Sequence, residues 1–591
     1  MSGQTYEPDD FVESLEVVEE QRNKRVAGIP CLPPTVTQCV SDHFLGGINT
    51  SLPPPYERPE RTRFLASQPR ILLSFVVMLS FTVWALIVFA TLSSYASDDH
   101  PTPPSVPPWV VNLDYGTFVG VQDQSTGITS FKGIRFADAP PFGPSCVSLA
   151  QSGSEDCLFG NVCANLVLLQ IFDIDDPCGR QVFLPNGTTR RDRLPVLVWF
   201  HGGGFQSSST RHFDPVELLQ STAKPFIFVS FAYRLAGSKI KEDGDLNVGL
   251  LDQFGGDPSR VTIWGQSAGA GSNMFHLIAQ GGNNEGLFHA AMGDSPSLTF
   301  TPFATGDYLE GIFSQYASFA GCDPNAQDAL KCLRSADISV LKSAGAQLDA
   351  NRTSTLFIFA PILDGKYITE RPVEAFASGR FARVPVFFGS NTNEGANWSA
   401  GLPNPSANTS EPDASEETVY NFFQGQWASL TKPSFDRALQ LYPLANFGNS
   451  FSQQGAQMYG DMRYICTAGM ITGSLTRAGL PAFRYHYDNS HLGDFHHNEL
   501  QAMFPEEVPP VPADDKDLAL FEAMREYWTS FVTNDRPSSK SAGVAWRAVR
   551  DTSNGSPRLL ASPGLVQNEQ ISEELSERCA MWRSLAREMQ T

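Results

Sequence analysis

The sequence contains little charge, and positive charge is the scarcer kind. Of its 591 residues 18% are charged, and 42 Lys and Arg against 63 Asp and Glu leave a net charge of −21. Such a chain lacks the positive surface that captures nucleic acid, and it does not favour docking to anionic lipid. With 41% hydrophobic residues it also lacks the composition of a disordered chain, and no internal repeat is present. We therefore predict a folded globular protein that binds no nucleic acid.

One long uncharged run is an exception to this composition. Residues 71–92 carry no charge, and at about 1.5 Å per residue they are long enough to cross roughly 30 Å of hydrocarbon. A buried core helix is the alternative, but such helices rarely stay uncharged beyond about 14 residues. Arg58, Arg61, Arg63 and Arg70 precede the run, whereas two aspartates follow it. The positive-inside rule then predicts a single-pass type II anchor with a cytoplasmic N-terminus and a lumenal or extracellular C-terminal part.

The segments on either side of this run differ in composition. Residues 1–70 mix acidic and proline-rich stretches without an apolar period, which predicts a disordered cytoplasmic tail. Residues 93–108 are rich in proline and predict an extended stalk. Cleavage after Ala96 is an alternative to anchoring, although the apolar run starts late and is long for a signal peptide. The folded domain is expected at residues 109–591.

Sequons and cysteines fit an exported domain. Sequons beyond the apolar run permit glycosylation at five asparagines: Asn186, Asn351, Asn397, Asn408 and Asn554. Cys146 lies close to Cys157, and Cys322 lies close to Cys332, so each pair could close a short loop in an oxidising compartment. Buried free thiols are the alternative for each pair.

Short apolar runs alternate with helix-like stretches in the folded domain. The runs are residues 195–200, 226–232, 261–264, 384–388 and 483–487, and helices are expected at 268–280, 325–334 and 518–533. Buried parallel strands are typically continuous apolar runs. The pattern therefore predicts an α/β fold with a mostly parallel central sheet and helices on both faces.

A nucleophile motif follows one of these strands. Gly265-Gln266-Ser267-Ala268-Gly269 comes directly after residues 261–264 and opens a predicted helix. A bare Gly-x-Ser-x-Gly arises by chance in a chain of this size, but the order strand, turn and helix is what a nucleophile elbow requires. We predict that Ser267 is the nucleophile.

A glycine-rich loop follows another strand. His201-Gly202-Gly203-Gly204-Phe205 comes directly after residues 195–200. The backbone N–H groups of Gly203, Gly204 and Ala268 are candidates for an oxyanion hole. Tight packing of the loop against a helix is the alternative reason for its glycines.

A serine nucleophile needs a base, and the base needs an acid that orients it. In this type of fold the nucleophile, the acid and the base follow one another along the chain. Four histidines come far enough after Ser267 to be the base: His486, His491, His496 and His497. His486 falls within a predicted strand, whereas the loop 493–499 suits a mobile base. Glu394 follows the strand 384–388, so its carboxylate is expected at the same sheet edge as the elbow. A solvated loop glutamate is the alternative.

Together these motifs resemble the type-B carboxylesterase/lipase family, the cholinesterase-like α/β-hydrolases, and its fungal lipase-like members most of all. The resemblance rests on residues 254–269, 201–205, 154–158, 393–395 and 493–496, and it extends from about Gly116 to Trp582. It implies an α/β-hydrolase fold, with Ser267 as nucleophile, Glu394 as acid and His496 rather than His497 as base. It also implies disulfides between Cys146 and Cys157 and between Cys322 and Cys332.

Some features depart from the family pattern. Gln266 stands where many members have Glu, and no aromatic cage for a cation is evident, which weakens the case for a choline ester substrate. The segments 235–254 and 137–153 are short. From the residues and the resemblance, we predict a serine esterase that needs no metal or organic cofactor and acts on a small-molecule or lipid ester. The alternative is a catalytically impaired adhesion or interaction protein on the same fold. The sequence does not specify the oligomeric state.

Overall fold

The computed structural model describes residues 109–134, 180–210, 213–233, 235, 248–504, 507, 509, 511–550 and 556–591. The predicted tail, the apolar run 71–92 and the stalk lie outside these residues, as do both segments that are short relative to the family, apart from 235 and 248–254. In the part of the chain that the structure describes, no helix combines the length and the apolar character needed to cross a membrane.

A central sheet organises the described residues, together with a separate hairpin of the first two strands. The strands are β1 Val110–Leu113, β2 Gly116–Val119, β3 Val121–Asp123, β4 Ile128–Ile134, β5 Arg180–Pro185, β6 Leu194–Phe200, β7 Ile227–Ser230, β8 Gly256–Gly265, β9 Ala290–Asp294, β10 Val386–Asn391, β11 Ala482–Tyr487, β12 Pro557–Ser562 and β13 Leu565–Gln570.

The sheet is mostly parallel. Its strand order is β13-β12-β11-β10-β9-β8-β6-β7-β5-β4-β3, and every pair from β12 to β7 in this order is parallel. The outer pairs are antiparallel. The predicted α/β fold with a mostly parallel sheet is therefore confirmed.

Helices cover the sheet and extend beyond its edge. They are α1 Val216–Gln220, α2 Ala268–Ile278, α3 Asp307–Phe319, α4 Ala329–Ser335, α5 Ile338–Ala350, α6 Pro372–Ser378, α7 Glu416–Gln426, α8 Lys432–Leu439, α9 Phe451–Gly460, α10 Cys466–Arg477, α11 Asp515–Asn534, α12 Glu573–Ser584 and α13 Ala586–Met589. Short 3-10 turns occupy Val248–Phe254, Ala279–Gly282, Ser399–Gly401, Pro405–Ala407, Leu444–Phe447 and Asn498–Ala502, and Asp461–Ile465 is a π turn.

The two faces of the sheet carry two separate cores. Along β6, Val196, Val198 and Phe200 face one core, and Leu197 and Trp199 face the other, as the two-residue period of a strand requires. The first core includes α2 and α10, and the second includes α11. Strands buried on both faces need the continuous apolar runs that the sequence shows, so helices on both faces are also confirmed.

The predicted elements have the right type but shifted ends. The helix expected at 268–280 ends at Ile278, where Gln280 has a φ of 50°. The helix expected at 518–533 begins earlier, because the Asp514 side chain accepts hydrogen bonds from the backbone N–H groups of Lys516 and Asp517. The helix expected at 325–334 begins only at Ala329.

Candidate active site

The elbow after β8 holds Ser267 in a strained conformation. Ser267 has φ 57° and ψ −118° between β8 and the first residue of α2. A Cβ atom at Gly265 would lie 2.5 Å from the carbonyl carbon of Gly269, and one at Gly269 would lie 2.0 Å from the carbonyl oxygen of Phe200. Both flanking glycines are therefore required by close backbone contact, and the turn presents the serine at the carboxyl edge of the sheet.

The loop after β6 lies beside this elbow. A Cβ atom at Gly202 would lie 3.2 Å from Cβ of Ser267. Gly203 and Gly204 have φ of +100° and +61°, and a side chain on Gly204 would overlap the ring of Phe357. The backbone N–H groups of Gly203, Gly204 and Ala268 donate to no backbone carbonyl in the described part of the chain. These amides remain available to a ligand oxygen.

Glu394 and His496 come from the loops that follow β10 and β11. The two loops are joined by the backbone N–H of Asn393, which donates to the carbonyl of Asp494 (3.0 Å), and by a parallel bridge from Asn393 to Phe495. Nδ1 of His496 donates to Oε2 of Glu394 (2.6 Å). The carboxyl ends of neighbouring parallel strands thus bring together two residues that are 102 positions apart.

The second oxygen of Glu394 is also occupied. Oε1 accepts from Ser295 Oγ (2.5 Å) and from the backbone N–H of Asn391 (2.7 Å), and the side chain has no exposed surface. All these partners of the carboxyl group are donors, which is the arrangement that suits an ionised carboxylate.

His496 is enclosed by aromatic rings. The ring of Tyr464, which the π turn positions, lies 4.2 Å from that of His496, and the ring of Trp398 lies 5.4 Å away. Burial lowers the pKa of His496 below its ordinary value, and the negative charge of Glu394 opposes that change. Burial therefore favours the neutral imidazole that a general base needs.

The other ring nitrogen of His496 faces the elbow. Nε2 of His496 accepts from Nε2 of Gln266 at 3.4 Å, one residue before Ser267. A hydrogen bond between Ser267 Oγ and His496 is not formed, although both residues are described. Catalytic hydrogen bonds often tighten only when substrate is present.

The other three candidate histidines have different partners. His497 is 54% exposed and lies 3.6 Å from Glu507. His486 contacts Glu569 (2.9 Å), and His491 contacts Asp517 in the first turn of α11 (2.6 Å). Of the four, His496 is the one that the structure places against both Glu394 and the elbow.

Two further buried carboxyl groups lie in this region, and the sequence analysis missed both. Asp294, at the end of β9, accepts from Trp264 Nε1 (2.7 Å) and from the Tyr485 hydroxyl (3.0 Å). Its backbone carbonyl accepts from the N–H of Ser267 (2.9 Å), so it also supports the elbow. Burial raises the pKa of Asp294 to about 7, and the charge of Glu394 adds to the effect.

Glu499 is the second of these groups. It follows His496 by three residues, is fully buried and accepts from the side-chain amide of Asn391 through Oε2. Oε1 has no partner among the described residues. Burial raises the pKa of Glu499 well above its ordinary range, and the charges of Asp294 and Glu394 add to the rise. The spacing His-x-x-Glu was the only sequence signal for it.

One cluster of potential metal ligands occurs elsewhere. Oxygen or nitrogen atoms of His491, Asp514 and Asp517 lie within 4.8 Å of one another in the described chain. Oδ2 of Asp517 already accepts from His491 Nδ1 (2.6 Å) and from the backbone N–H of Asp514 (2.9 Å). The cluster therefore serves as the N-terminal cap of α11.

The cysteines that the structure describes form one expected and one unexpected disulfide. Cys322 and Cys332 are joined, as the resemblance implies, whereas Cys146 and Cys157 lie outside the described residues. A second disulfide joins Cys466 to Cys579 across a sequence separation of 113, and no local spacing signals it.

The predicted glycosylation sites differ in accessibility. Asn351 and Asn397 are exposed, Asn186 is half-buried, and Asn554 lies outside the described residues. Asn408 is 8% exposed and its amide nitrogen donates to Glu411 (3.2 Å). Attaching a glycan to Asn408 would require that contact to open.

Comparison with known proteins identifies the family of this site. The family model described as "Carboxylesterase family" matches residues 141–582, which is more than half of the chain. The chain belongs to the carboxylesterase family. It is accordingly a carboxylic ester hydrolase, and the predicted resemblance is confirmed.

Several proteins similar to this carboxylesterase are named as lipases or esterases. It is 28% identical to Lipase 2 of Geotrichum candidum over 72% of this chain and 87% of that protein. It is 34% identical to Lipase 4 of Diutina rugosa over 45% of this chain and 54% of that protein. The crystal structure of Aspergillus niger EstA is similar with a TM-score of 0.66 and 26% identity, over 82% of this chain and 99% of that one.

Proposed function

We propose that this carboxylesterase acts through a Ser267–His496–Glu394 triad and an acyl-enzyme intermediate. The observation that carries the proposal is the 2.6 Å contact from Glu394 to His496, whose other ring nitrogen faces the Ser267 elbow. A serine hydroxyl is a weak nucleophile until a base removes its proton, and the base needs a fixed orientation.

In the first half-reaction, Nε2 of His496 takes the proton of Ser267 as Oγ attacks the ester carbonyl. Glu394 holds Nδ1–H and stabilises the imidazolium that forms. The imidazolium then gives its proton to the leaving alcohol, and the ester C–O bond breaks. In the second half-reaction, water loses a proton to His496, attacks the acyl-serine and releases the carboxylic acid.

The oxyanion of each tetrahedral intermediate is held by backbone amides. Gly203, Gly204 and Ala268 supply the donors in our proposal, and their N–H groups are free of backbone acceptors in the described structure. Fixed donors at this position stabilise charge that develops only in the transition state.

The proposed substrates are carboxylic esters, including esters of lipids. Relatives named as lipases support the lipid class. Gln266 beside the nucleophile supports uncharged substrates, because it lacks the carboxylate that would attract a cationic alcohol group.

The test of the triad is hydrolysis of short- and long-chain p-nitrophenyl esters by the full chain in detergent. Ser267→Ala should lower kcat/KM at least about a thousandfold, as expected for loss of a nucleophile. Ser378→Ala is the matched control, because this exposed serine is bonded only within its own helix. The thermal midpoint of each variant is measured separately to show that the variant is folded. Equal activity of Ser267→Ala and wild type would contradict the triad, and folded but inactive wild type would favour the adhesion or interaction role.

We further propose that residues 71–92 anchor the enzyme in a membrane with the catalytic domain on the lumenal or extracellular side. The uncharged run and the arginines before it support this orientation, and two disulfides in the domain suit an oxidising compartment. Relatives named as secreted lipases support an exported domain. Protease treatment of sealed microsomes should spare the domain and remove the tail. Release of the domain by alkaline carbonate would contradict anchoring.

A further inference from the structure

A cavity of about 600 Å³ lies apart from the triad. Helices α10 and α12 form its walls, and the Cys466–Cys579 disulfide joins them there. The cavity shares no lining residue with the elbow, the glycine-rich loop or the two triad loops. Three arginines, Arg477, Arg484 and Arg583, line it.

No ion pair joins the buried Arg484 to a carboxylate of the described residues. Arg484 is 5% exposed and lines the cavity from β11. Its Nη2 makes a long hydrogen bond to the carbonyl of Ile465 (3.3 Å), and its Nε has no partner among the described residues. A buried charge is costly unless it is paired and hydrogen-bonded, so this guanidinium lacks the anion that its position calls for.

The surroundings of Arg484 are mostly cationic. Burial, followed by the positive charges of Arg558 and Arg583, lowers the pKa of Arg484 to about 9. The carboxylate that opposes this effect is Glu569, whose Oε1 already accepts from Arg558 and His486. The local charge therefore favours a bound anion.

Two glycines of α10 provide space beside the arginines. Gly469 and Gly473 are four residues apart and lie on one face of the helix. A Cβ atom at Gly469 would lie 2.7 Å from Nη1 of Arg484, and one at Gly473 would lie 3.4 Å from Nη1 of Arg477. Glycine is less favourable than alanine within a helix, and the guanidinium of Arg484 explains why position 469 has no side chain.

The remaining lining is largely apolar and larger than a simple ion needs. Apolar side chains come from three elements of the wall and from the turn before α12: Val373, Ala377, Met470, Ile571 and Leu575. We propose that this cavity binds an organic carboxylate with an alkyl chain, its carboxylate paired with Arg484 and its chain against these apolar residues. A guanidinium presents two parallel N–H donors that match the two oxygens of a carboxylate. Arg477 and Arg583 are exposed at the rim and attract the anion.

Binding of sodium octanoate to the full chain tests the proposal by calorimetry and by the thermal midpoint. Octanoate should bind more tightly than acetate and raise the midpoint. Arg484→Met should weaken octanoate binding at least about tenfold, because it removes the charge-assisted hydrogen bonds to the carboxylate. It should also raise the midpoint of the free protein, because it removes an unpaired buried charge.

Rim variants keep the test decisive if Arg484→Met does not fold. Arg477→Gln with Arg583→Gln should weaken octanoate binding, whereas Arg536→Gln, at an exposed arginine outside the cavity, should leave it unchanged. Any octanoate held elsewhere, including near Ser267, is insensitive to these substitutions. Three results would overturn the proposal: no binding to the wild type, binding unchanged in the rim and Arg484 variants, or inorganic phosphate binding as tightly as octanoate.

Discussion

The buried carboxyl groups beside the elbow and the buried Arg484 differ in their hydrogen-bond partners. Beside the elbow, Asp294, Glu394 and Glu499 each accept hydrogen bonds from the protein. In the cavity between α10 and α12, Arg484 has one long hydrogen bond and cationic neighbours. The protein therefore supplies hydrogen-bond donors to each of these carboxyl groups, whereas it gives the guanidinium of Arg484 one long hydrogen bond.

This difference separates the proposed catalytic site from the proposed binding site. Fixed donors hold the carboxyl group of Glu394 in place before substrate arrives, and the proposed triad requires such a preorganised arrangement. An unpaired buried cation gains its stabilisation only when an anion enters. Both regions bury ionisable side chains. They differ in how many hydrogen-bond partners the protein supplies to those side chains.

The largest expected effect contrasts two buried glutamates beside the elbow. Glu394→Gln should lower kcat by about a thousandfold or more, because the amide cannot stabilise the imidazolium as the carboxylate does. Glu499→Gln is the matched variant and should retain activity within severalfold at pH 7. Burial raises the pKa of Glu499 well above its ordinary range and so favours the neutral acid, which the amide of glutamine resembles. Steady-state kinetics with a p-nitrophenyl ester measure both, and equal losses would show that the two acids do not differ in role.

The next effect concerns the wall of the arginine cavity. Removing the Cys466–Cys579 disulfide, which spans a sequence separation of 113, should lower the free energy of unfolding by about 4.8 kcal/mol in the chain-entropy treatment. Removing Cys322–Cys332, with a separation of 10, should lower it by about 2.7 kcal/mol. Urea unfolding of the two double Cys→Ala variants, one for each disulfide, measures both losses of unfolding free energy. The reverse order would mean that native strain or residual structure dominates.

A smaller effect tests whether Asp294 is held neutral. Its folded-state pKa of about 7 is above the unfolded value, so its contribution to stability is fully present below about pH 4 and is lost as the pH rises to about 7. Asp294→Asn should therefore be more stable than the wild type at pH 8 and differ less at pH 4. The Tyr485 hydroxyl can reverse and accept from the new amide. Unfolding at several pH values measures the difference, and a pH-independent difference would contradict the assignment.

The smallest effect is the position of the acidic limb of activity. His496 must be neutral to accept the serine proton, and burial lowers its pKa. The kcat/KM profile should therefore fall only below about pH 6.5, the ordinary value of histidine. A limb above that value would indicate that Glu394 outweighs burial.

Much of the site could be predicted because its residues lie at strand ends. Ser267 and Glu394 follow continuous apolar runs and His496 follows strand β11, and the carboxyl ends of parallel strands meet at one edge. Asp294 also ends a strand, but it sits within a buried apolar segment with no motif around it. Glu499 was overlooked for a similar reason, since one glutamate in a polar loop is ordinarily solvated.

The sequence by itself determined the sheet, the elbow and the glycine-rich loop, because hydrophobic period and glycine placement act over a few neighbouring residues. Only the tertiary structure decided which histidine meets Glu394, which cysteine pairs with Cys579, and that Arg484 lies buried with no ion-pair partner in the described part of the chain. These are contacts between residues distant in the chain. Their energies depend on burial and on the surrounding charges, and no local pattern encodes either.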